Sequence, residues 1–133
     1  MKSNSILYNN SLTVNGIKMS LMFNAVDVQP DVREIKLYRG EQKSDDFLAI
    51  NPEGKIPVLV DEGQAITESN AILHYVANKY QSPLWPQNPM IQTQILKWLF
   101  WQSGRWNTAA FRFAHRRVVL PAWGFDGGED LSA

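Results

Sequence analysis

Two short stretches carry side chains suited to holding a small polar ligand. The first is Thr67-Glu68-Ser69-Asn70, which precedes Ala71, Ile72, Tyr75, Val76 and Tyr80, apolar or aromatic residues at the three-to-four spacing of one helix face. At a helix start, Glu68 and Ser69 suit capping and charging of the first turn. They also suit a ligand, because helix N–H groups hold a carboxylate, a Ser69 hydroxyl adds a donor, and a Glu68 carboxylate pairs with an ammonium. An α-amino acid end carries both of those groups. The second stretch runs from Ser11 to Asn15, where a β-prone run, Ile6-Leu7-Tyr8, meets a helical pattern. A helix dipole there favours a thiolate, and Ser11, Thr13 and Asn15 are the polar candidates beside it. A free thiol titrates near ~8.5, and one hydrogen bond to a charged acceptor contributes roughly 1.5–3 kcal/mol, where about 1.4 kcal/mol is one pK unit. Two neutral donors therefore suffice to ionise a thiol near neutral pH. A Thr hydroxyl and an Asn amide donate without becoming nucleophiles; as ordinary cap residues they would do none of this. Tyr8 offers another hydroxyl, although its place inside a strand suits a packed aromatic better.

The elements that must position these groups follow in order. After Asn15-Gly16, the residues Ile17, Leu21, Met22 and Ala25 predict an apolar helix stripe. Val32 to Leu37 predicts a strand with Ile35 and Leu37 on one face, and Ser44-Asp45-Asp46 opens a short helix through Ile50. Lys55 to Val60 is an apolar run containing Pro57, Asp61 to Gln64 supplies turn residues, and Ala65-Ile66 predicts a second, short strand. The two runs make a hairpin, and the helix from Glu68 follows. The order is strand, helix, strand, helix, strand, strand, helix, an α/β thioredoxin-like arrangement.

Asn51-Pro52-Glu53-Gly54-Lys55-Ile56-Pro57-Val58-Leu59, followed by Glu68-Ser69-Asn70-Ala71-Ile72, resembles the glutathione transferase superfamily. That family carries an NPxGKVPxL stretch and then an ESxAIxxYLA stretch in its N-terminal domain. An X-Pro bond is cis only about one time in twenty, so it is the resemblance that makes Pro57 a cis-proline and Ile56 a main-chain ligand of the cysteinyl part of glutathione. Leu7 to Lys18 resembles the bacterial nu-class pattern in which TPNGxK presents Thr and Asn to the glutathione sulfur, with Val14 standing where that pattern has proline. The resemblance thus implies Thr13 and Asn15 as catalytic donors, Glu68 and Ser69 at the γ-glutamyl end, and Lys55 with Gln42 or Lys43 at the glycyl carboxylate. Gln42 stands where related classes have a histidine. Glutathione would be a co-substrate, its thiolate attacking a small electrophile; the alternatives are glutathione-dependent disulfide reduction and a non-catalytic interaction domain on the same fold.

The chain has no cysteine. A CxxC couple, a disulfide, a zinc finger and the catalytic cysteine of the omega and beta classes are all excluded, and His74 and His115 make no metal-ligand cluster. His74, mid-helix, reads as a packed or half-exposed residue. Thirteen basic and thirteen acidic residues cancel, which removes the footprint of a nucleic-acid binder. No apolar run approaches the ~20 residues of a membrane span, and the amino terminus lacks a signal-peptide pattern, so the expected location is the cytoplasm.

Three prolines between Pro83 and Pro89 forbid a continuous helix there. The expected organisation is a glutathione-binding domain over 1–82, a linker over 83–89, and the start of an all-α C-terminal domain over 90–133. Met90 to Gln102 predicts a helix apolar nearly all the way round, which requires cover on several sides. Trp98 to Gly104 resembles the first C-terminal-domain helix of nu-class enzymes, which implies a homodimer seam and a second-substrate wall that includes Trp101. Asn107 to Leu120 predicts a further helix, with Ala110, Phe111, Ala114 and Val118 on one stripe and Pro121 as its stop. Arg105 and Arg112 belong to a basic patch suited to a solvated face or to a substrate carboxylate on that wall. Asp126 to Ala133 reads as a turn and the start of another helix, from which a chain cut short is expected.

Overall fold

The chain divides into a unit spanning Met1–Pro86 and a second beginning at Gln87. The structure, a computed structural model, describes residues 1–122 and 124, apart from the side chains of Arg112 and Val119. The turn expected over 126–133 lies outside the described residues.

The first unit contains β1 (Lys2–Asn9), α1 (Val14–Ala25), β2 (Gln29–Glu34), α2 (Asp45–Ile50), β3 (Val58–Asp61), β4 (Gln64–Ile66) and α3 (Ser69–Lys79). Its sheet runs in the order β2-β1-β3-β4. β1 lies parallel to β2 and antiparallel to β3, and β3 is antiparallel to β4. This is the expected thioredoxin-like architecture.

Register explains the two buried faces. Leu7 pairs with Leu59 and Tyr8 with Val58, so alternation sends the first pair to one face and the second to the other. On the Tyr8 side, Ile35, Phe47 and Val58 form a core, and the Tyr8 and Phe47 rings meet edge to face at 5.9 Å. On the opposite side α1 packs against α3. There Met19, Met22 and Phe23 of α1 and Ile72 and Val76 of α3 are buried.

The stripe predicted for α1 needs correction. Met22 faces inward as expected, but Ile17 and Leu21 are 47% and 65% exposed, and Met19 and Phe23 take their place. The reason is the approach of helix to strand at Gly16. A Cβ there would lie 1.8 Å from the Asn10 carbonyl oxygen, so Gly16 is the contact point and sets the rotation of the helix. The strand predicted through Leu37 also ends early, at Glu34; Ile35 is buried just beyond it, and Leu37 begins a 3₁₀ turn.

Asp61 ties the end of β3 to α3, accepting from the Tyr75 hydroxyl at 2.8 Å and from Lys79 Nζ at 2.5 Å. Burial pushes the Asp61 carboxyl up, but the hydrogen bonds from Lys79 and Tyr75 outweigh it and hold the group below its ordinary value. The Asp61 hydrogen bond holds Lys79 well above its own. Burial and Asp61 together raise Tyr75. His74, exposed on α3, sets its ring edge-on to Trp85 at 4.4 Å.

The second unit is helical. α4 (Pro89–Trp101) starts with Asn88, whose side chain caps the Met90 and Ile91 N–H groups, and with proline at its first position. A π-helical turn over Gln102–Trp106 leads into α5 (Asn107–Ala114), and a second over His115–Val119 leads into α6 (Leu120–Ala122). Pro121 therefore sits inside the final short helix rather than stopping the helix at Leu120 as expected. Among the described residues no helix is long and apolar enough to cross a membrane.

Candidate functional site

The strand-to-helix turn after β1 is held by side chains. Asn10 donates to the Ile35 carbonyl at 3.0 Å and accepts from the Leu12 N–H at 3.1 Å, fixing the turn against the segment after β2. Thr13 is the cap of α1: its hydroxyl accepts from the Gly16 N–H at 3.0 Å and donates to the Asn10 carbonyl at 2.9 Å. The single hydroxyl hydrogen of Thr13 is thus on the backbone, and service to a ligand requires it to turn. Val14, in place of the proline of the resembled pattern, is the first helical residue and is 51% exposed.

Asn15 faces α3 instead. Its Oδ1 accepts from the Ser69 hydroxyl at 3.3 Å, which brings together two predicted site residues that lie 54 positions apart. Lys18, one turn further along α1, donates to Ser69 Oγ at 2.9 Å and to Asn70 Oδ1 at 2.6 Å. Burial lowers the Lys18 ammonium below its ordinary value, partly offset by the nearby Glu68 carboxylate.

Neither Glu68 nor Ser69 spends its side chain on capping. Glu68 holds the cap position of α3 with φ +66° and makes no side-chain cap bond. That left-handed conformation costs a non-glycine residue about 1–3 kcal/mol and is typical of positions that the surrounding structure holds for a purpose. Its exposed carboxylate stays beside the helix start, where an ammonium group can reach it.

A second cluster forms around Gly54. The turn Glu41–Lys43 meets the loop before β3 so closely that a Cβ on Gly54, at φ +62°, would lie 2.8 Å from the Gln42 carbonyl oxygen and 2.6 Å from Lys43 Nζ. Lys43 Nζ donates to the Glu53 carbonyl at 3.1 Å, and Lys55 pairs with Glu53 on the surface at 3.1 Å. Gln42 Oε1 is buried with no hydrogen-bond partner among the described residues. Asn51, 3% exposed, anchors this loop by donating to the Lys55 carbonyl at 2.8 Å and accepting from the Glu53 N–H at 3.2 Å. The Ile56–Pro57 peptide is cis, as the resemblance implied. Ile56 packs against the core on the Tyr8 side of the sheet.

Trp101 ends α4 and Arg105 lies in the following π-helical turn; both are exposed and both belong to the second unit. Arg112 falls in α5, but its side chain lies outside the described residues. Among the described residues no cluster of His, Asp and Glu could hold a metal ion.

Sequence reasoning missed Lys18, Asn10, Asn51 and Asn70 as positioning groups. All four stood inside the quoted stretches, where a polar residue within a matched motif was the available signal.

A thioredoxin-like sheet with a cis-proline ahead of β3 and polar helix starts on α1 and α3 defines the class. The profile of the family described as "Glutathione S-transferase, N-terminal domain" matches residues 3–78, and the chain belongs to that family. An uncharacterised glutathione transferase-like protein of Streptococcus mutans is 37% identical over 102 residues, covering 69% of this chain and 38% of that protein. Among solved structures, a diazinon-metabolising glutathione S-transferase of the silkworm Bombyx mori is 28% identical with a TM-score of 0.80, covering 88% of this chain and 59% of its own. Ure2p, solved in complex with glutathione, is 27% identical with a TM-score of 0.79, covering 87% and 56%. The chain thus spans well under half of the curated relative and somewhat more than half of the two solved ones.

Proposed function

We propose that this protein binds glutathione and lowers the pKa of its thiol for attack on a small electrophile. What supports the reading is the hydrogen bond between Asn15 and Ser69, which joins the starts of α1 and α3 in a chain of this family. Glu68 and Ser69 take the γ-glutamyl ammonium and carboxylate, the Ile56 main chain takes the cysteinyl part, and Gln42, Lys43 and Lys55 take the glycyl carboxylate. Asn15 donates to the sulfur, with Thr13 as the second donor once its hydroxyl turns from Asn10. In this reading residues 1–82 hold glutathione, 83–89 link, and Trp101, Arg105 and Arg112 within 90–133 meet the electrophile or disulfide. The chain works as a cytoplasmic homodimer.

A second reading, binding without turnover, is supported by the Thr13 hydroxyl hydrogen already standing on the Asn10 carbonyl. Calorimetric titration with reduced and with oxidised glutathione, followed by turnover assays with an electrophile and a disulfide, separates the two. Saturable binding is expected. Glu68→Gln should weaken it about 10- to 100-fold, the effect of one charge-assisted hydrogen bond to the γ-glutamyl ammonium. A folded protein that binds neither form of glutathione would refute both readings.

A further inference from the structure

The lysine of the resembled TPNGxK stretch has no part in the reading above, yet its ammonium sits between two residues of the site. Lys18 Nζ lies 2.9 Å from Ser69 Oγ and 2.6 Å from Asn70 Oδ1, and Ser69 Oγ lies 3.3 Å from Asn15 Oδ1. These groups are neither fully buried nor fully exposed.

Hydrogen-bond chemistry gives the chain of contacts a direction. An ammonium only donates, and a hydroxyl has one hydrogen and two lone pairs. Ser69 must therefore accept from Lys18, and its hydrogen goes to Asn15 Oδ1. Because the Asn15 amide is planar, anchoring its oxygen at Ser69 places its NH₂ on the opposite branch. Lys18 on one lone pair restricts the rotation of the hydroxyl and favours its hydrogen on Asn15. Without Lys18 the hydroxyl turns freely and can accept from Asn15 Nδ2, and the flipped amide then turns its oxygen outward. An outward oxygen repels a thiolate, whereas an outward NH₂ donates to it. Asn70 Oδ1 also accepts from the ammonium and helps hold it in place.

We propose that Lys18 is a positioning residue that, through the Ser69 hydroxyl, locks the Asn15 side-chain amide with its NH₂ toward the ligand sulfur. The inference rests on the glutathione reading above. It joins the two ends of the ligand site through one run of hydrogen bonds: the Ser69 hydroxyl, its hydrogen on Asn15 Oδ1, orients the thiol donor, while the main-chain N–H groups of the same helix start take the carboxylate. Arginine at position 18 would preserve the lock, because it too only donates. Methionine and glutamine would not, the first lacking a donor and the second able to accept from Ser69.

The test titrates the thiol of bound glutathione by thiolate ultraviolet absorbance in the 133-residue protein and in Lys18→Met, Lys18→Gln and Lys18→Arg. Folding is monitored by circular dichroism, and two non-donor-only variants guard against one failing to fold. In Lys18→Met and Lys18→Gln the bound thiol pKa should rise by about 1 unit, the equivalent of one hydrogen bond to a charged acceptor. Glutathione should still bind, and Lys18→Arg should return most of the difference. A depressed thiol pKa in the parent that is unchanged in Lys18→Met and Lys18→Gln overturns the role of Lys18 alone. Loss of binding in a folded variant overturns it too, by making Lys18 a direct ligand. A parent that leaves the thiol pKa at its solution value overturns the thiol-activation reading and this one together.

Discussion

The two units of this chain treat similar apolar content in opposite ways. Every buried apolar residue among the described ones lies between Leu7 and Trp85, within the first unit. In α4 and the helical turns beyond it, Trp98, Phe100, Trp106, Phe111 and Phe113 are 57%, 72%, 41%, 58% and 59% exposed. Hydrophobicity alone therefore does not make a core. A core needs two surfaces facing each other, which the sheet supplies twice over in the first unit. α4 and α5 follow one another through a π-helical turn, so neither folds back to cover the other.

This contrast is open to direct attack, and the strongest blow falls where the first unit is tightest. Gly16→Ala places a methyl against the Asn10 carbonyl, a backbone clash that no side-chain movement relieves. The loss should exceed ~4 kcal/mol, enough to abolish the cooperative urea transition of the sheet unit. A normal transition would mean that α1 and β1 can separate there without cost.

A matched pair sharpens the comparison itself. Ile72→Ala, at a fully buried site, should cost about 2–5 kcal/mol in denaturant unfolding. Phe100→Ala, on the exposed face of α4, should stay within about 0.5 kcal/mol. Equal losses would show that the second unit packs its aromatics as firmly as the first.

A smaller loss than that at Ile72 is expected at the tie between β3 and α3. Asp61→Asn should cost about 1–3 kcal/mol at neutral pH, because Tyr75 and Lys79 lose a charged acceptor. The pH dependence has a definite sign. Asp61 lies below its ordinary 3.8 in the fold, so its contribution is complete above that value and is lost as pH falls through the lower folded one. Lys79 is raised above its ordinary 10.5, so its contribution is complete below that value and is lost as pH rises through the folded one. Stability measured between acid and neutral pH should flatten in Asp61→Asn. A slope identical to the parent's would place the acid-sensitive group elsewhere.

Much of the first unit was legible because its signals are local. Ser44 capping a short helix, the hairpin turn after Val60, and the paired motifs around Pro57 and Glu68 each lie within a few residues of what they determine. The rotation of α1 was not legible, since Val14, Ile17, Leu21, Met19, Met22 and Phe23 put apolar groups on every side of the helix. Only the approach of Gly16 to Asn10 chooses among them. The bond from Lys18 to Ser69 spans 51 positions and exists only once α1 and α3 lie together. Thr13 shows a different limit: its residue type allowed both a thiol donor and a helix cap, and the folded turn gives its hydrogen to the Asn10 carbonyl.

The order of the sheet has a consequence for how this chain meets other copies of itself. Its two outer strands are β2 and β4. β2, Gln29-Pro30-Asp31-Val32-Arg33-Glu34, carries a proline and three charged residues, and β4 is only three residues long. A proline removes a donor, charges resist stacking, and a short margin offers few unpaired amides, so neither rim is a template for strand addition. Fibre growth by edge-to-edge pairing is thereby disfavoured, and any association of this unit with another copy would have to run through side chains rather than main-chain pairing.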